Sequence, residues 1–321
     1  MSQDNYPSDK SFPTHPHAEA ATEKHEPISK QEEPTPRKEE PVTENAWRKL
    51  NAFTDARVGL GRSGVSVPTK HLLAFQLAHA QAIDAVHTQL DTESLAKTLM
   101  EQDWAPHNTP IMLHSRAIDR ASYLQRPDYG RRLDEKSANT LDEHRAATSQ
   151  HYDLAIVVVD GLSSLAIEQN TLPFLEALFS HIHVQQAPTQ QNTKNGHKND
   201  WSLAPICFVK QGRVAIGDDV CERLNAKCVL VLIGERPGLS SPDSLGLYLT
   251  WGGKVGLTDA FRNCISNVRP AGLVYQEAAR KAFYLLNEAR TLKLSGVKLK
   301  DRSDDDLIID TSKESKNFLI S

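Results

Sequence analysis

The sequence predicts an α/β fold, a parallel sheet flanked by helices and preceded by a helical N-terminal region. Three observations predict it. Residues 47–150 carry apolar side chains at three- and four-residue spacing, the period of an amphipathic helix. From residue 153 the texture changes. Residues 154–159 (L-A-I-V-V-V) and 228–233 (C-V-L-V-L-I) are continuous apolar runs, the mark of strands buried on both faces. Stretches of helical length alternate with these runs, and that alternation gives a parallel sheet with helices on both faces, a Rossmann-like arrangement.

Each element follows in order. Residues 1–46 hold seven of the 17 prolines and no cluster of Ile, Leu or Phe. Such a segment buries too little apolar surface to offset its ordering entropy and is expected to be a disordered extension. Pro68-Thr69 opens the clearest helix, with Thr69 as its N-cap, and Leu72, Phe75, Ala82, Ile83, Val86 and Leu90 form one apolar face. Helical stretches follow at 92–102, 111–125 and 136–149, punctuated by Trp104-Ala105-Pro106 and Arg126-Pro127. The strand at 154–159 runs into Asp160-Gly161-Leu162-Ser163 and a helix that ends at Phe179. An extended segment at 206–209 meets a turn at Gln211-Gly212; a short apolar piece at 214–216 and a helix at 219–225 follow. After the strand at 228–233, residues 245–251 read as a further strand and 273–293 as the closing helix. The Gln-, Asn- and Lys-rich stretch 187–200 reads as an inserted surface loop, and 301–321 as a polar tail. The domain plan is thus an extension (1–46), a helical region (47–150), a sheet domain (151–300) and the tail.

Composition narrows the function. The net charge is −4 and the pI about 6.4, with no basic stripe, so the electrostatic footprint of a nucleic-acid binder is missing. No apolar run reaches the roughly 18 residues a membrane helix needs. The first ten residues lack the basic and apolar regions of a secretory signal. The four cysteines, Cys207, Cys221, Cys228 and Cys264, form no C-x-x-C pair, which fits the reducing cytoplasm.

Several motifs carry alternative readings. Gly59-Leu60-Gly61-Arg62-Ser63-Gly64 matches G-x-G-x-x-G, but that fingerprint works only between a strand and a helix. The other reading is a tight connection. His79 lies on the apolar face of its helix, with Asp84 and His87 nearby. The i+4 position from His79 is Ile83, so a hydrogen-bonded interior or interface histidine is favoured over a metal ligand. Asp160, where a strand gives way to a helix, either caps that helix or faces a ligand. Gly234-Glu235-Arg236-Pro237-Gly238 follows a buried strand and places Glu235 at its carboxyl end, where open α/β sheets bind ligands. Its bland reading is an exposed turn with an ordinary ion pair. Cys264 is a catalytic candidate only with a histidine base; otherwise it is an inert thiol.

Longer strings add a resemblance. F-T-D-A-R-V-G-L-G-R-S-G (53–64), F-Q-L-A-H-A-Q-A (75–82), V-V-V-D-G-L-S (157–163), G-E-R-P-G-L-S-S-P-D-S-L-G (234–246) and N-C-I-S-N-V-R-P (263–270) resemble the ethanolamine ammonia-lyase small subunit family. The resemblance runs in order from about residue 47 to 300. It implies a heteromeric enzyme, active only with a TIM-barrel large subunit, that uses adenosylcobalamin to convert ethanolamine to acetaldehyde and ammonia. It also implies that Val214 in G-R-V, Glu235 in G-E-R-P-G and Cys264 in N-C-I-S-N contact the cofactor, and that this chain supplies no catalytic residue and no metal ligand. The chain has no D-x-H-x-x-G sequence, consistent with a cobalamin that keeps its own benzimidazole ligand. In relatives an N-terminal extension can direct the enzyme into a bacterial microcompartment, a role open to residues 1–46. A stand-alone nucleotide-binding enzyme and a microcompartment adaptor are the competing functions.

Overall fold

The computed structural model describes residues 42–148, 150–184 and 200–303. Residues 1–41 of the expected extension, all of the 187–200 insertion but Asp200, and the tail from residue 304 lie outside the described residues. In chain order the elements are α1 (Thr69–His87), α2 (Thr92–Met100), β1 (Ile111–His114), α3 (Arg120–Gln125), α4 (Glu135–Thr148), β2 (Tyr152–Val159), α5 (Ser164–Phe179), β3 (His183–Val184), β4 (Asp200–Trp201), β5 (Cys207–Lys210), α6 (Ile216–Arg223), β6 (Ala226–Gly234), β7 (Leu245–Trp251), β8 (Arg262–Val268) and α7 (Tyr275–Leu292).

The main sheet has the strand order β1-β5-β2-β6-β7-β8. The first four strands run parallel. β7 and β8 are antiparallel to their neighbours, because short connections can only return the chain as a hairpin. β3 and β4 form a separate parallel pair. Successive side chains of β2 point to opposite faces. Leu154, Ile156 and Val158 join one core with α5, α7, Leu95, Leu99 and Trp201. Ala155, Val157 and Val159 join a second core with Leu141 of α4 and Ile216 and Val220 of α6. The β-branched run is thus buried on both faces, as its composition requires.

The order of the central strands creates a crevice. The helix after β2, α5, covers one face. The helix after the adjacent strand β5, α6, covers the other. Where connections from neighbouring parallel strands part in this way, a hollow opens outside their carboxyl ends. β6, on the far side of β2, closes the opposite wall.

Four local expectations differ from the structure. Residues 111–125 are not one helix: residues 111–114 form the edge strand β1, and α3 begins only at Arg120. The helix expected at 219–225 starts earlier, at Ile216, and takes in the end of the short apolar piece 214–216. The N-cap of α1 is Pro68, without a side-chain cap bond, and Thr69 is the first helical residue. The apolar face of α1 does not turn inward. Its buried stripe is Ala78, Ala82 and Ala85, while Leu72, Leu73, Phe75, Leu77 and Ile83 are exposed. His79 is exposed as well, against the ring of Phe75, which removes the interior reading.

The glycine-rich segment is a tight connection. It neither follows a strand nor opens a helix. Gly59 and Gly61 have φ of +63° and +74°, and a Cβ at either would collide with backbone of residues 43–48. Arg62 instead bridges to Thr43.

Among the described residues no helix is long and apolar enough to cross a membrane, and no group of three or more His, Cys, Asp or Glu could hold a metal ion.

Candidate functional site

The carboxyl ends of β2, β5 and β6 meet around one hollow. Two glycines allow the approach. A Cβ on Gly161 would strike the Gly234 carbonyl, and one on Gly234 would strike the Ser163 carbonyl. Gly161 also holds φ +60°, a conformation that suits glycine.

Asp160 organises this edge from inside. Its carboxylate accepts backbone N–H bonds from Gly161 at 2.8 Å, Gln211 at 2.8 Å and Gly212 at 3.1 Å. Arg120 stands 3.9 Å away. Burial raises the carboxyl pKa, opposed by these bonds and by Arg120. The cap of α5 is Ser163, whose Oγ accepts the N–H of Ala166. Asp160 is therefore neither the cap nor a surface ligand; it fastens the turn after β5 to the end of β2.

That turn presents Val214. Gln211 takes φ +55°, Arg213 N–H donates to the Gly130 carbonyl at 2.7 Å, and Val214 comes out half-buried at the head of α6. Glu235 leaves the end of β6. Its backbone N–H donates to the Ser244 carbonyl at 2.9 Å. Its Oε2 accepts the Ser244 hydroxyl and, at 3.3 Å, the N–H of Asn267. Its Oε1 lies over Gly246, where a side chain would intrude, and accepts no hydrogen bond among the described residues.

Val214 and Glu235 line the same hollow of about 410 Å3, with Tyr123, Arg213 and Tyr248. A neighbouring hollow of about 450 Å3 shares Arg213, Val214 and Tyr248, so the two form one trough. Cys264 lines neither. It is exposed and stands directly across the ladder from Tyr248. Desolvation raises the pKa of both groups. A raised thiol pKa disfavours the thiolate, which is the nucleophilic form. The other three cysteines are buried.

Sequence reasoning missed Tyr123 and Tyr248. Tyr123 is fully buried on α3, with the guanidinium of Arg120 4.7 Å from its ring centroid and that of Arg213 at 4.2 Å. No local signal marks it: Arg120 is three residues away on the same helix, but Arg213 comes from 90 residues further along the chain. Tyr248 was legible only as one residue of an apolar strand. The 53–64 string also reaches this edge: Arg57 Nη2 donates to the Leu239 carbonyl at 3.3 Å, and Ser240 Oγ to the Asp55 carbonyl at 3.4 Å.

This geometry offers apolar contact, a carboxylate with a free oxygen, and uncommitted guanidinium and phenol donors. Comparison with known proteins gives it a family. Residues 44–300 match the ethanolamine ammonia-lyase light chain family. Among relatives named ethanolamine ammonia-lyase small subunit, that of Pseudomonas aeruginosa is 50% identical over 278 residues, 87% of this chain and 95% of the relative. That of Ralstonia nicotianae is 50% identical over 279 residues, 87% and 96% of the two chains. That of Pseudomonas fluorescens strain Pf0-1 is 52% identical over 260 residues, 81% and 88%. The chain belongs to the ethanolamine ammonia-lyase light chain family and is a small-subunit component of that lyase.

Proposed function

We propose that the trough at the carboxyl edge is one side of an adenosylcobalamin seat, completed by the TIM-barrel large subunit, and that the assembled enzyme converts ethanolamine to acetaldehyde and ammonia. The observation that carries this reading is convergence. Val214 and Glu235 come from separate segments and line one trough with Tyr248, and Cys264 stands across the β7–β8 ladder from that tyrosine. Those segments are the ones whose strings resemble the family's cofactor contacts.

The residues fit such a group. A corrin carries a rim of amides, and an amide N–H needs an acceptor. Glu235 keeps Oε1 free for that bond while Oε2 is held by Ser244 and Asn267. Val214 and Cys264 supply apolar contact. Adenosylcobalamin supplies the radical chemistry. This chain binds and orients the group and helps keep water from the reacting centre. The large subunit holds the substrate.

A second feature supports a hetero-oligomer. Phe53, Leu73 and Leu77 are 83%, 59% and 61% exposed, and together with Leu72, Phe75 and Ile83 they leave α1 and its approach apolar on the outside. Contiguous patches of this kind mark protein interfaces. We assign the face to the large subunit. The stand-alone nucleotide reading loses its support, because Gly59–Gly64 neither follows a strand nor opens a helix. Residues 1–46 are proposed as the address when the enzyme is packaged in a microcompartment; the complex otherwise works in the cytoplasm.

The test is co-purification with the large subunit, followed by an ultraviolet–visible scan and an ethanolamine assay. Corrinoid absorbance and deamination are expected only when both chains are present. Lyase activity from this chain alone, or an assembled complex that takes up no corrinoid, overturns the reading.

A further inference from the structure

We infer that Tyr123 and Arg213 form an anion seat for a phosphodiester, the phosphate of the cofactor's nucleotide tail. The inference rests on the cobalamin reading above and extends it to residues that no resemblance assigns.

The first observation is a set of buried donors without acceptors. The Tyr123 hydroxyl is fully buried and has no hydrogen-bond partner. Arg213 Nε is buried and likewise unpaired. Buried polar groups are almost always satisfied, and exceptions in a native fold call for a ligand, an ion or a water. Both side chains line the hollow that also holds Glu235. Burial raises the Tyr123 pKa, so the phenol stays protonated and offers a donor.

The second observation is charge. Arg120 and Arg213 stack on the same tyrosine ring. Arg120 faces Asp160 and donates to the carbonyls of Val86 and Gly161, with its buried Nη2 left without a partner. Among the described residues the Arg213 side chain bonds only the Tyr123 carbonyl, at 3.0 Å through Nη2, and pairs with no carboxylate. That bond fixes the guanidinium over the ring and leaves Nε for another acceptor.

The third observation selects the anion. One side of the hollow presents a carboxylate oxygen that needs donors, and the other presents a cation and a phenol that need acceptors. A ligand that suits both carries amide N–H groups at one end and a compact anion at the other. A corrinoid has amide side chains around its ring and a single phosphodiester in its tail. Arginine is the side chain best shaped for phosphate oxygens.

The test uses the reconstituted two-subunit complex and two corrinoids, cyanocobalamin and dicyanocobinamide, which lacks phosphate, ribose and base. Tyr123→Phe is the informative variant, because the hydroxyl it removes has no partner in the protein. It is expected to melt no lower than the parent, to bind cobalamin roughly tenfold more weakly, and to bind cobinamide as before. Arg213→Met is expected to weaken cobalamin by about tenfold to a hundredfold, with part of the loss restored in Arg213→Lys. Phosphorus NMR of bound cobalamin is the second readout: the resonance is expected to shift between the parent and Arg213→Lys. Unchanged cobalamin affinity in Tyr123→Phe, equal losses on both corrinoids, or an unmoved phosphorus line overturns the seat. Inorganic phosphate is expected to compete with cobalamin and not with cobinamide; equal competition against both assigns the donors to a free anion and also overturns it. A parent complex that binds neither corrinoid refutes the cobalamin reading itself, and the inference with it.

Discussion

The Asp160 carboxylate accepts the backbone N–H of Gln211 at 2.8 Å, so a residue at the end of β2 sets the turn at the end of β5. Its other oxygen accepts Gly161 and Gly212. Removing the carboxylate leaves these buried N–H groups to find other acceptors, at about 1–3 kcal/mol for each that fails. Asp160→Ala is therefore expected to unfold at markedly lower urea, and to bind cofactor weakly in the complex because Arg213 and Val214 ride on the freed turn. Asp160→Asn keeps one acceptor oxygen and is expected to lose roughly half as much. Urea melts of the two variants beside the parent check the order. A parent-like midpoint for Asp160→Ala would show that the turn stands without the clamp.

The two carboxylate oxygens of Glu235 can be separated by substitution. Oε2 ties β6 to Ser244 and to the N–H of Asn267, and Oε1 is left over. Glu235→Ala is expected to lower stability by about 1 kcal/mol and to weaken cobalamin binding by roughly 1.5–3 kcal/mol, the range for a hydrogen bond to a charged group. Ser244→Ala removes the internal bond and spares the free oxygen. It is expected to show the stability loss with near-parent cofactor affinity. Corrinoid titrations of the complex decide: an unchanged affinity in Glu235→Ala ends the assignment.

Asp219 sets an acid limit on the same edge. It is buried at the start of α6 and accepts Arg223 Nε at 2.9 Å, Arg132 Nε at 3.1 Å and the N–H of Leu133 at 3.1 Å. Burial pushes its carboxyl up, and these partners more than reverse that, leaving the pKa lowered. A carboxyl whose folded pKa lies below its unfolded value stabilises the fold above the unfolded value, near 3.9. That contribution disappears as the pH falls through the folded pKa. The melting temperature of the parent is expected to drop steeply below about pH 4. Asp219→Asn is expected to start lower at neutral pH and to fall less steeply. Parallel slopes for the two proteins below pH 4 would mean that other carboxylates set the limit.

How much of this was legible in the sequence depends on burial. β2 and β6 lie in the middle of the sheet, and two-sided burial leaves a run of Val, Ile and Leu that reads as a strand. β1 and β8 are the edges. β1 has only I-M-L-H, with Met112 exposed, and its neighbours in sequence are helical. β8 mixes Asn263, Ser266 and Asn267 with apolar Ile265 and Val268 without regular alternation, a weak pattern that its pairing with β7 completes. At the candidate site, Glu235 stood out because strand ends in such sheets bind ligands, whereas Val214 was singled out by resemblance. Cys264 was readable only by resemblance. Tyr123 depends on Arg213, 90 residues away, and no window of sequence contains both. The apolar face of α1 was visible as apolar, yet periodicity cannot say whether a face meets the chain's own core or another chain.

That last ambiguity gives the final prediction. The inner side of α1 is lined by alanines, which let the helix lie close to the domain, while its leucines point away. Were the leucines part of the folding core, trimming them would destabilise the chain by 2–5 kcal/mol each. Exposed as they are, the double variant Leu73→Ser/Leu77→Ser is expected to change the stability of the isolated chain by no more than about 0.5 kcal/mol per site. Its solubility alone is expected to rise, because a large apolar patch favours self-association. Co-purification with the large subunit is expected to fail. The Asp84→Asn variant, on the polar flank of the same helix, is expected to assemble normally and controls for damage to α1 itself. If Leu73→Ser/Leu77→Ser pulls down the large subunit as well as the parent does, this face serves another purpose and the interface lies elsewhere on the chain.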